Sequence, residues 1–587
     1  MCGLAAILAG TGASRPVDAA ELVRIRDAMT ARGPDGEGLW LSADRQVGLA
    51  HRRLAIIDLS PAGAQPMVSA CGGYRIVFNG EIYNYRALRA ELEAKGVVFR
   101  SHTDTEVILE LYRRDGIAML ERLRGMFAIA LWDEARRGLL LARDPFGIKP
   151  LYVADDGRTL RAASQVKALL AGGRIDTSPD PAGHVGFFLW GHVPDPHTLY
   201  ADIRAVEAGT WEWAGRDGRR DSGRFFDLAA ELGGAAPAVA DLGEALRDSV
   251  RAHLEADVPV GVFLSAGLDS TSLASLTAEV AGTPPSTVTL GFAEYAGSSR
   301  DEAPLAELVA AQLGGAHSTV RVTGADFQAD RPRFLADMDQ PTVDGLNTWL
   351  VARAARQSGL KVALSGLGGD ELFAGYDTFR QVPALSGWLR PLRLLPGLGA
   401  AVRVISAGWI GRFASPKMAG LLEYGTSPGD AYLLRRGLYM PWELPDLVGA
   451  DMAREGWRLL APRLALKRAI TGLPDGRRRV SALEMSFYMR NQLLRDSDWA
   501  GMAHSLEIRV PLVDVPLLRV VAGLLAAGRT PLKRDMAACT RPPLPEAVLK
   551  RPKSGFFVPI DRWRGENSLR RWAIEVHRAL NCRNQSL

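Results

Sequence analysis

VPVGVFLSAGLDSTSLASLTAEV, residues 258–280, runs from an apolar stretch through a turn of small residues into a helical pattern. VPVGVFL predicts a buried strand, SAG a turn and STSLASLTAEV a helix. The rhythm recurs downstream: STVTLGF (286–292) is a strand, DEAPLAELVAAQLG (301–314) a helix, and KVALSGLGGDE (361–371) a strand entering a second glycine turn. Strands alternating with helices predict an α/β, doubly wound parallel sheet. Ligands on such sheets bind beyond the carboxyl ends of the strands, where both glycine turns fall.

The two turns carry chemistry. In SAGLDS (265–270), small residues let backbone N–H groups approach a phosphate, and the helix start favours an anion. The lysine of a P-loop is missing, so γ-phosphate transfer is not the expected reaction. Asp269 suits Mg²⁺ held against a departing pyrophosphate. The second turn, LSGLGGDELF (364–373), adds Asp370 and Glu371. Alone these acids could simply charge the first turn of a helix; two acidic turns on adjacent strand ends favour a metal–pyrophosphate site.

Upstream the pattern differs. RIVFNGEIYNY (75–85), FAIALWD (127–133) and GLLLARD (138–144) are strand-like, with ALRAELEAKG (87–96) and DTEVILELYRRDG (104–116) as helices. Residues 2–215 therefore read as an α+β sandwich of antiparallel sheets. Residues 216–240, rich in Gly, Ala and charge, read as an irregular linker. Residues 241–587 form the second domain.

MCGLAAILAG, at the start, has no Lys or Arg before its apolar run, which excludes a typical secretory leader. It offers Cys2 instead. Removal of Met1 would expose an α-amine with a pKa of ~7.7–8.0 beside a thiol of ~8.5, a base and nucleophile matched near neutral pH. Asn79-Gly80 can present a side-chain amide and a backbone N–H together, as an oxyanion hole requires. The competing reading is a plain Asn-Gly hairpin.

Composition narrows the classes. The 587 residues are 47% hydrophobic and 23% charged, with a net charge of +5, which fits a globular protein of several domains. Basic residues are scattered, so no nucleic-acid partner is expected. The four cysteines form no CxxC pair, which fits a reducing, cytoplasmic setting. No stretch reaches the ~20 apolar residues needed to cross a bilayer, so no membrane partner is expected. The basic, apolar region 385–415 reads as an irregular helical insert packed on the core, in preference to a membrane-surface helix.

CGL at the start, HRRLAIID (51–58), QPM (65–67), FNGEIYNY (78–85), SHTDTEVIL (101–109) and LARDPFGIKPLYV (141–153) together resemble the class II glutamine amidotransferase domain, a fold of the N-terminal-nucleophile hydrolase type. SAGLDS is similar to the pyrophosphate loop of ATP pyrophosphatases. With LSGLGGDELFAGY, LLRDSDWAGMAHSLEIRVPLVD (493–514) and RPKSGFFVPI (551–560), the second half resembles the synthetase domain of glutamine-hydrolysing asparagine synthetases. For the first half the resemblance implies that Cys2 attacks the glutamine carboxamide and Asn79 and Gly80 hold the oxyanion. Arg53 would grip the α-carboxylate, Glu81 and Asp104 the α-amine, and Ile56 would add backbone contacts. Arg52 is expected at the surface, and His51 and His102 in structural roles.

For the second half it implies ATP and Mg²⁺ as cofactors, an acyl-adenylate intermediate, and ammonia passed internally between the sites. ATP would be held by Leu264, Ser265, Gly267, Asp269, Ser270, Leu290, Ser365 and Gly366. Asp269 and Asp370 would hold the metal, and Lys553 would stabilise negative charge. Arg495, Asp496, Glu507 and Arg509 are expected to form an ion-paired scaffold. The substrates implied are glutamine, ATP and aspartate or another carboxylate; a homodimer is compatible with the pattern.

Three positions depart from the family pattern. Ala266 stands at the loop's usual first glycine, tolerable if its φ is negative. Gln165 replaces an acid in ASQVKALL, which bears on coupling between domains. Leu367 replaces a Glu associated with deprotonating the incoming nitrogen. The simplest expectation is asparagine synthesis, and Leu367 motivates the alternative of another acceptor, on a surface polysaccharide or a secondary metabolite.

Overall fold

A computed structural model of the chain describes residues 2–10, 15–234, 241–410, 413, 415–552, 558–564 and 569–584. The N-terminal half contains twelve strands among these residues: β1 (Gly3–Ala9), β2 (Gly36–Leu41), β3 (Val47–Arg53), β4 (Met67–Val68), β5 (Tyr74–Ile82), β6 (Gly125–Asp133), β7 (Gly138–Arg143), β8 (Tyr152–Asp155), β9 (Thr159–Ala163), β10 (Arg204–Ala205), β11 (Thr210–Gly215) and β12 (Arg220–Arg224). They build two six-stranded antiparallel sheets, ordered β10-β8-β9-β1-β3-β2 and β12-β11-β7-β6-β5-β4. Side chains alternate between faces along each strand. Leu4, Ala6 and Leu8 of β1 therefore meet Val77, Ala128 and Leu141 of the facing sheet, while Ala5 and Ile7 point outward to helix Ala19–Asp27. On the other outer face, Ile76 and Phe78 pack beneath helices Tyr85–Glu93 and Asp104–Asp115. The expected sandwich of antiparallel sheets is observed.

The second half holds β13 (Val260–Phe263), β14 (Ser286–Phe292), β15 (His317–Val322), β16 (Val362–Leu364) and β17 (Glu507–Arg509). All neighbouring pairs are parallel, in the order β15-β14-β13-β16-β17. The two glycine turns follow β13 and β16, adjacent strands at the middle of the sheet.

Two expectations are corrected. The stretch 216–240 is not irregular throughout. β12 pairs with β11 across an Asp217-Gly218 turn in which Gly218 has φ +89°, and a helix follows at Leu228–Gly233. That Asp-Gly dipeptide is a hairpin signal, and the charged RDSGR suits an exposed edge strand. Region 385–415 is helical and packs on the core at its start, through Leu385 and the buried Ser386, but its later part does not. Helix Leu398–Ile410 has no buried residue, and Trp388, Leu394, Val404, Ile405, Trp409 and Phe413 are exposed.

Candidate active sites

In the N-terminal half, β1 begins beside β5, and this places Cys2 against Asn79. The Cys2 backbone N–H donates to Asn79 Oδ1 at 3.0 Å, and the Sγ lies 4.0 Å from the Leu54 carbonyl. Asn79 is wholly buried, its Nδ2 3.5 Å from Ser164 Oγ. Burial pushes the Cys2 thiol up. Gly80 has φ +158°, and a Cβ there would stand 2.1 Å from the Met126 carbonyl of the paired strand β6. Only glycine fits at this position beside Cys2.

Arg53 leaves the end of β3 and folds over the next loop, donating to the carbonyls of Ser60 at 2.9 Å and of Asp58. It lines a cleft of ≈ 280 Å³ with His51, Asp35 and Gln65. Glu81 and Asp104 are both buried. The Asp104 carboxylate accepts from Ile82 N–H at 2.9 Å, yet burial carries its pKa to about 6. Burial, followed by the Glu507 charge, pushes Glu81 well above the carboxylate range; its Oε2 lies 3.7 Å from Arg509 Nη2 and has no hydrogen-bond partner. Both shifts favour the neutral acids, and a cation bound beside them would reverse the shifts. Ile56 is buried, and its carbonyl accepts from Asp257 N–H at 2.9 Å, so that oxygen ties the loop to the second half.

His51 Nε2 donates to the Phe78 carbonyl at 3.1 Å, and burial lowers its pKa to about 3. It is a neutral structural group. His102 is exposed. Arg52 is partly exposed, pairing with Asp27 and with Glu37 at 2.8 Å.

In the second half a cavity of ≈ 340 Å³ opens at the carboxyl ends of β13, β14 and β16. Its lining includes Leu264, Ser265, Gly267, Asp269, Ser270, Leu290, Ser365, Gly366 and Asp370, so residues from both turns converge as the spacing implied. Ser270 Oγ bonds Ser265 Oγ at 2.8 Å and accepts from Ser265 N–H at 3.1 Å, which closes the loop ahead of helix Leu268–Ala281. Ala266 is not among the residues with positive φ, so its methyl is accommodated. Gly368, with φ +93°, allows Asp370 to turn back toward Asp269.

Lys533 was not anticipated. Its Nζ lies 2.6 Å from Asp370 Oδ1 and also pairs with Asp269, and the two carboxylates raise its pKa. Nothing in TPLKRDM distinguishes it from a surface lysine. Tyr376 and Glu371 were also missed as a pair: the phenol donates to Glu371 Oε1 at 2.9 Å, and both line the cavity near Leu367. Burial, then the Asp370 charge, lifts Glu371 to about 8. Lys553 lies outside the described residues.

The halves are joined by buried charge. Arg32 grips Asp498 through two bonds of 2.6 and 3.0 Å, and its Nε donates to the Cys2 carbonyl at 3.0 Å. Arg495 pairs with Asp195, and Arg509 with Glu507 at 2.6 Å, as the scaffold reading expects. Asp496 departs from it. Its carboxylate accepts from Thr342 Oγ1 and Trp499 Nε1, and burial, then Asp344, raises it to about 8. Gln165 is buried at the start of a helix whose first two N–H groups, on Val166 and Lys167, are held at 3.1 and 3.0 Å by Asp339 of the other half.

Known proteins resemble each half of the chain separately. Residues 1–226 match the family model of a glutamine amidotransferase domain, and residues 241–586 that of asparagine synthase. A putative asparagine synthetase [glutamine-hydrolyzing] of Mycobacterium tuberculosis is 35% identical, with 98% of this chain and 90% of that protein aligned. Asparagine synthetase [glutamine-hydrolyzing] 1 of Bacillus subtilis is 32% identical over the same shares. Amidase chry2 of Gibberella zeae is 34% identical over 65% of this chain and 60% of its own. With an amidotransferase domain in its first half and asparagine synthase in its second, the chain belongs to the glutamine-hydrolysing asparagine synthetase family.

Proposed function

We propose that the chain hydrolyses glutamine in its N-terminal half, residues 2–215 with the added strand β12, and uses the ammonia for ATP-dependent amidation of a carboxylate in residues 241–587. The observation carrying this reading is the convergence of Asp269, Asp370 and the SAGLDS loop in one cavity, with a second, separate cradle around Cys2.

After removal of Met1, the nitrogen now bonded to Asn79 becomes the amine that accepts the thiol proton. The thiolate attacks the glutamine carboxamide, Asn79 and Gly80 hold the oxyanion, and ammonia leaves a γ-glutamyl thioester for water to cleave. Arg53 holds the α-carboxylate, and the α-ammonium settles between Glu81 and Asp104.

In the second site the acceptor carboxylate attacks the α-phosphorus of ATP, and pyrophosphate departs. Asp269 and Asp370 present two oxygens to one point, already shared by Lys533 Nζ. A donor set of two carboxylates completed by substrate phosphates suits Mg²⁺, which would neutralise charge on the departing pyrophosphate. Ammonia then displaces AMP, with Lys553 stabilising the charge that develops. Aspartate is the simplest acceptor, with asparagine, glutamate, AMP and pyrophosphate as products. A cytoplasmic setting, where ATP and glutamine are at hand, and a homodimer complete the proposal.

One observation favours a second acceptor. Leu367 presents an alkyl chain to the cavity where a carboxylate would assist the nitrogen, which suits a carboxylate on a glycan or secondary metabolite. Purified chain, glutamine and ATP with a panel of acceptors separates the readings: aspartate-dependent AMP release supports the first, and its absence overturns it. Cys2→Ala should abolish synthesis from glutamine and spare synthesis from ammonium, and Asp269→Asn should spare glutamine hydrolysis alone. Loss of both activities in either variant would contradict two separate sites.

A further inference from the structure

Residues 378–422 contain six Arg or Lys and no Asp or Glu, in a chain that otherwise carries nearly balanced charge. The same segment holds nine of the eighteen large apolar side chains exposed among the described residues. Trp388 is 87% exposed, Phe413 83% and Ile405 75%. Helix Leu398–Ile410 turns Leu398, Ala401, Val404, Ile405, Gly408 and Trp409 outward. These positions recur at helical spacing, so the outward stripe is wholly apolar. In a water-facing helix this is the stripe that should be polar.

The inner side explains how such a helix is held. Arg403 reaches back to Glu423 at 2.6 Å and lies over the Trp442 ring, while Arg393 donates to the Thr426 carbonyl at 2.7 Å. The insert is thereby anchored with its apolar stripe outward and Arg390 and Arg393 exposed beside it.

At thirteen residues the helix spans about 20 Å, short of the ~30 Å hydrocarbon layer. No described helix is long and apolar enough to cross a membrane. Trp, Phe, Ile and Val flanked by arginine, without acidic residues, are instead the composition of a helix lying in a lipid interface. Basic residues add attraction to anionic headgroups.

We propose that the insert centred on Leu398–Ile410 docks the protein onto an anionic lipid surface. Absence of acidic residues across the whole segment favours this occupant over an apolar protein surface, which would need no such bias. The proposal concerns surface attachment and leaves both active sites as described.

The test is flotation of the full chain with vesicles of phosphatidylcholine alone or with about one-third phosphatidylglycerol. Binding is expected to the mixed vesicles, weak to the neutral ones, and reduced by added salt. Ile405→Asp/Trp409→Asp should lower the bound fraction at least tenfold, since each buried anchor contributes about a factor of ten or more. Glutamine hydrolysis should be unchanged, which reports intact folding. No binding to mixed vesicles, or binding that survives the double substitution, would overturn the proposal. So would a stable wild-type dimer that the same substitutions dissociate, which would assign the stripe to a second copy.

Discussion

Replacing Asp498 by Asn removes the one negative charge between two buried cations of the other half. Arg32 Nη1 and Nη2 stand 2.6 and 3.0 Å from its oxygens, and Lys149 Nζ stands at 3.9 Å. All three side chains are at most 3% exposed, so water cannot stand in for the lost carboxylate. A charge pair at 4 Å contributes about 4 kcal/mol at an effective dielectric constant of 20. Breaking a buried pair commonly costs about 3–5 kcal/mol. At about 2.1 cal/mol/K per residue, 587 residues melting as one unit have an unfolding entropy near 1.2 kcal/mol/K. The melting temperature of Asp498→Asn should then fall by about 2–4 °C. Arg32 Nε also holds the Cys2 carbonyl, so an unpaired guanidinium that shifts by 1 Å should lower glutaminase kcat/KM about 100-fold. The double variant Arg32→Met/Asp498→Asn separates the two effects. Removing both partners should restore at least half of the lost melting temperature, because no guanidinium is left orphaned, while glutamine hydrolysis stays low. Differential scanning fluorimetry and a coupled glutamate assay read the two quantities. A melting temperature within 0.5 °C of wild type in the single variant, or strictly additive losses in the double, would refute the reasoning.

Gly80→Ala places a methyl 2.1 Å from the Met126 carbonyl and should cut glutamine hydrolysis about 100-fold while ammonium-driven synthesis persists. Lys533→Met removes the cation shared by Asp269 and Asp370; acceptor-dependent pyrophosphate release should fall about 100-fold or more, with glutaminase unchanged. Glu371, raised to about 8 in the fold against ~4.3 unfolded, favours the folded state fully only below the unfolded value, and that contribution is lost as pH rises through 8. Glu371→Gln should therefore raise the melting temperature relative to wild type by a few degrees at pH 9, with the difference closing toward pH 4.5.

The architecture was legible because its signals are local. VPVGVFLSAG and KVALSGLGGD each place an apolar run directly before a turn, and the structure sets them side by side as β13 and β16. The Asn79-Gly80 reading shows where local rules mislead. An Asn-Gly pair normally marks a hairpin turn, yet here it lies inside β5, with Gly80 forced by the approach of β6. The polar residues flanking it were the clue that the dipeptide served chemistry. In 216–240 the same rule erred in the other direction: Asp217-Gly218 does make the hairpin, and the charged β12 was mistaken for a linker because an edge strand can be polar on both faces.

What escaped was the pairing of charges remote in sequence. Arg32 and Asp498 are 466 residues apart, and Lys533 meets Asp269 across 264. A lysine carries no local mark of burial: its ammonium is stabilised only by where the fold delivers the opposing carboxylates. Lys533 shows why this matters for function. Two carboxylates aimed at one point repel, and without a compensating cation Asp269 and Asp370 would drift apart. A lysine at that point offsets the repulsion and holds both carboxylates convergent. The acidic turns announce a cation site, but the group that holds the site ready comes from a third segment that no motif names.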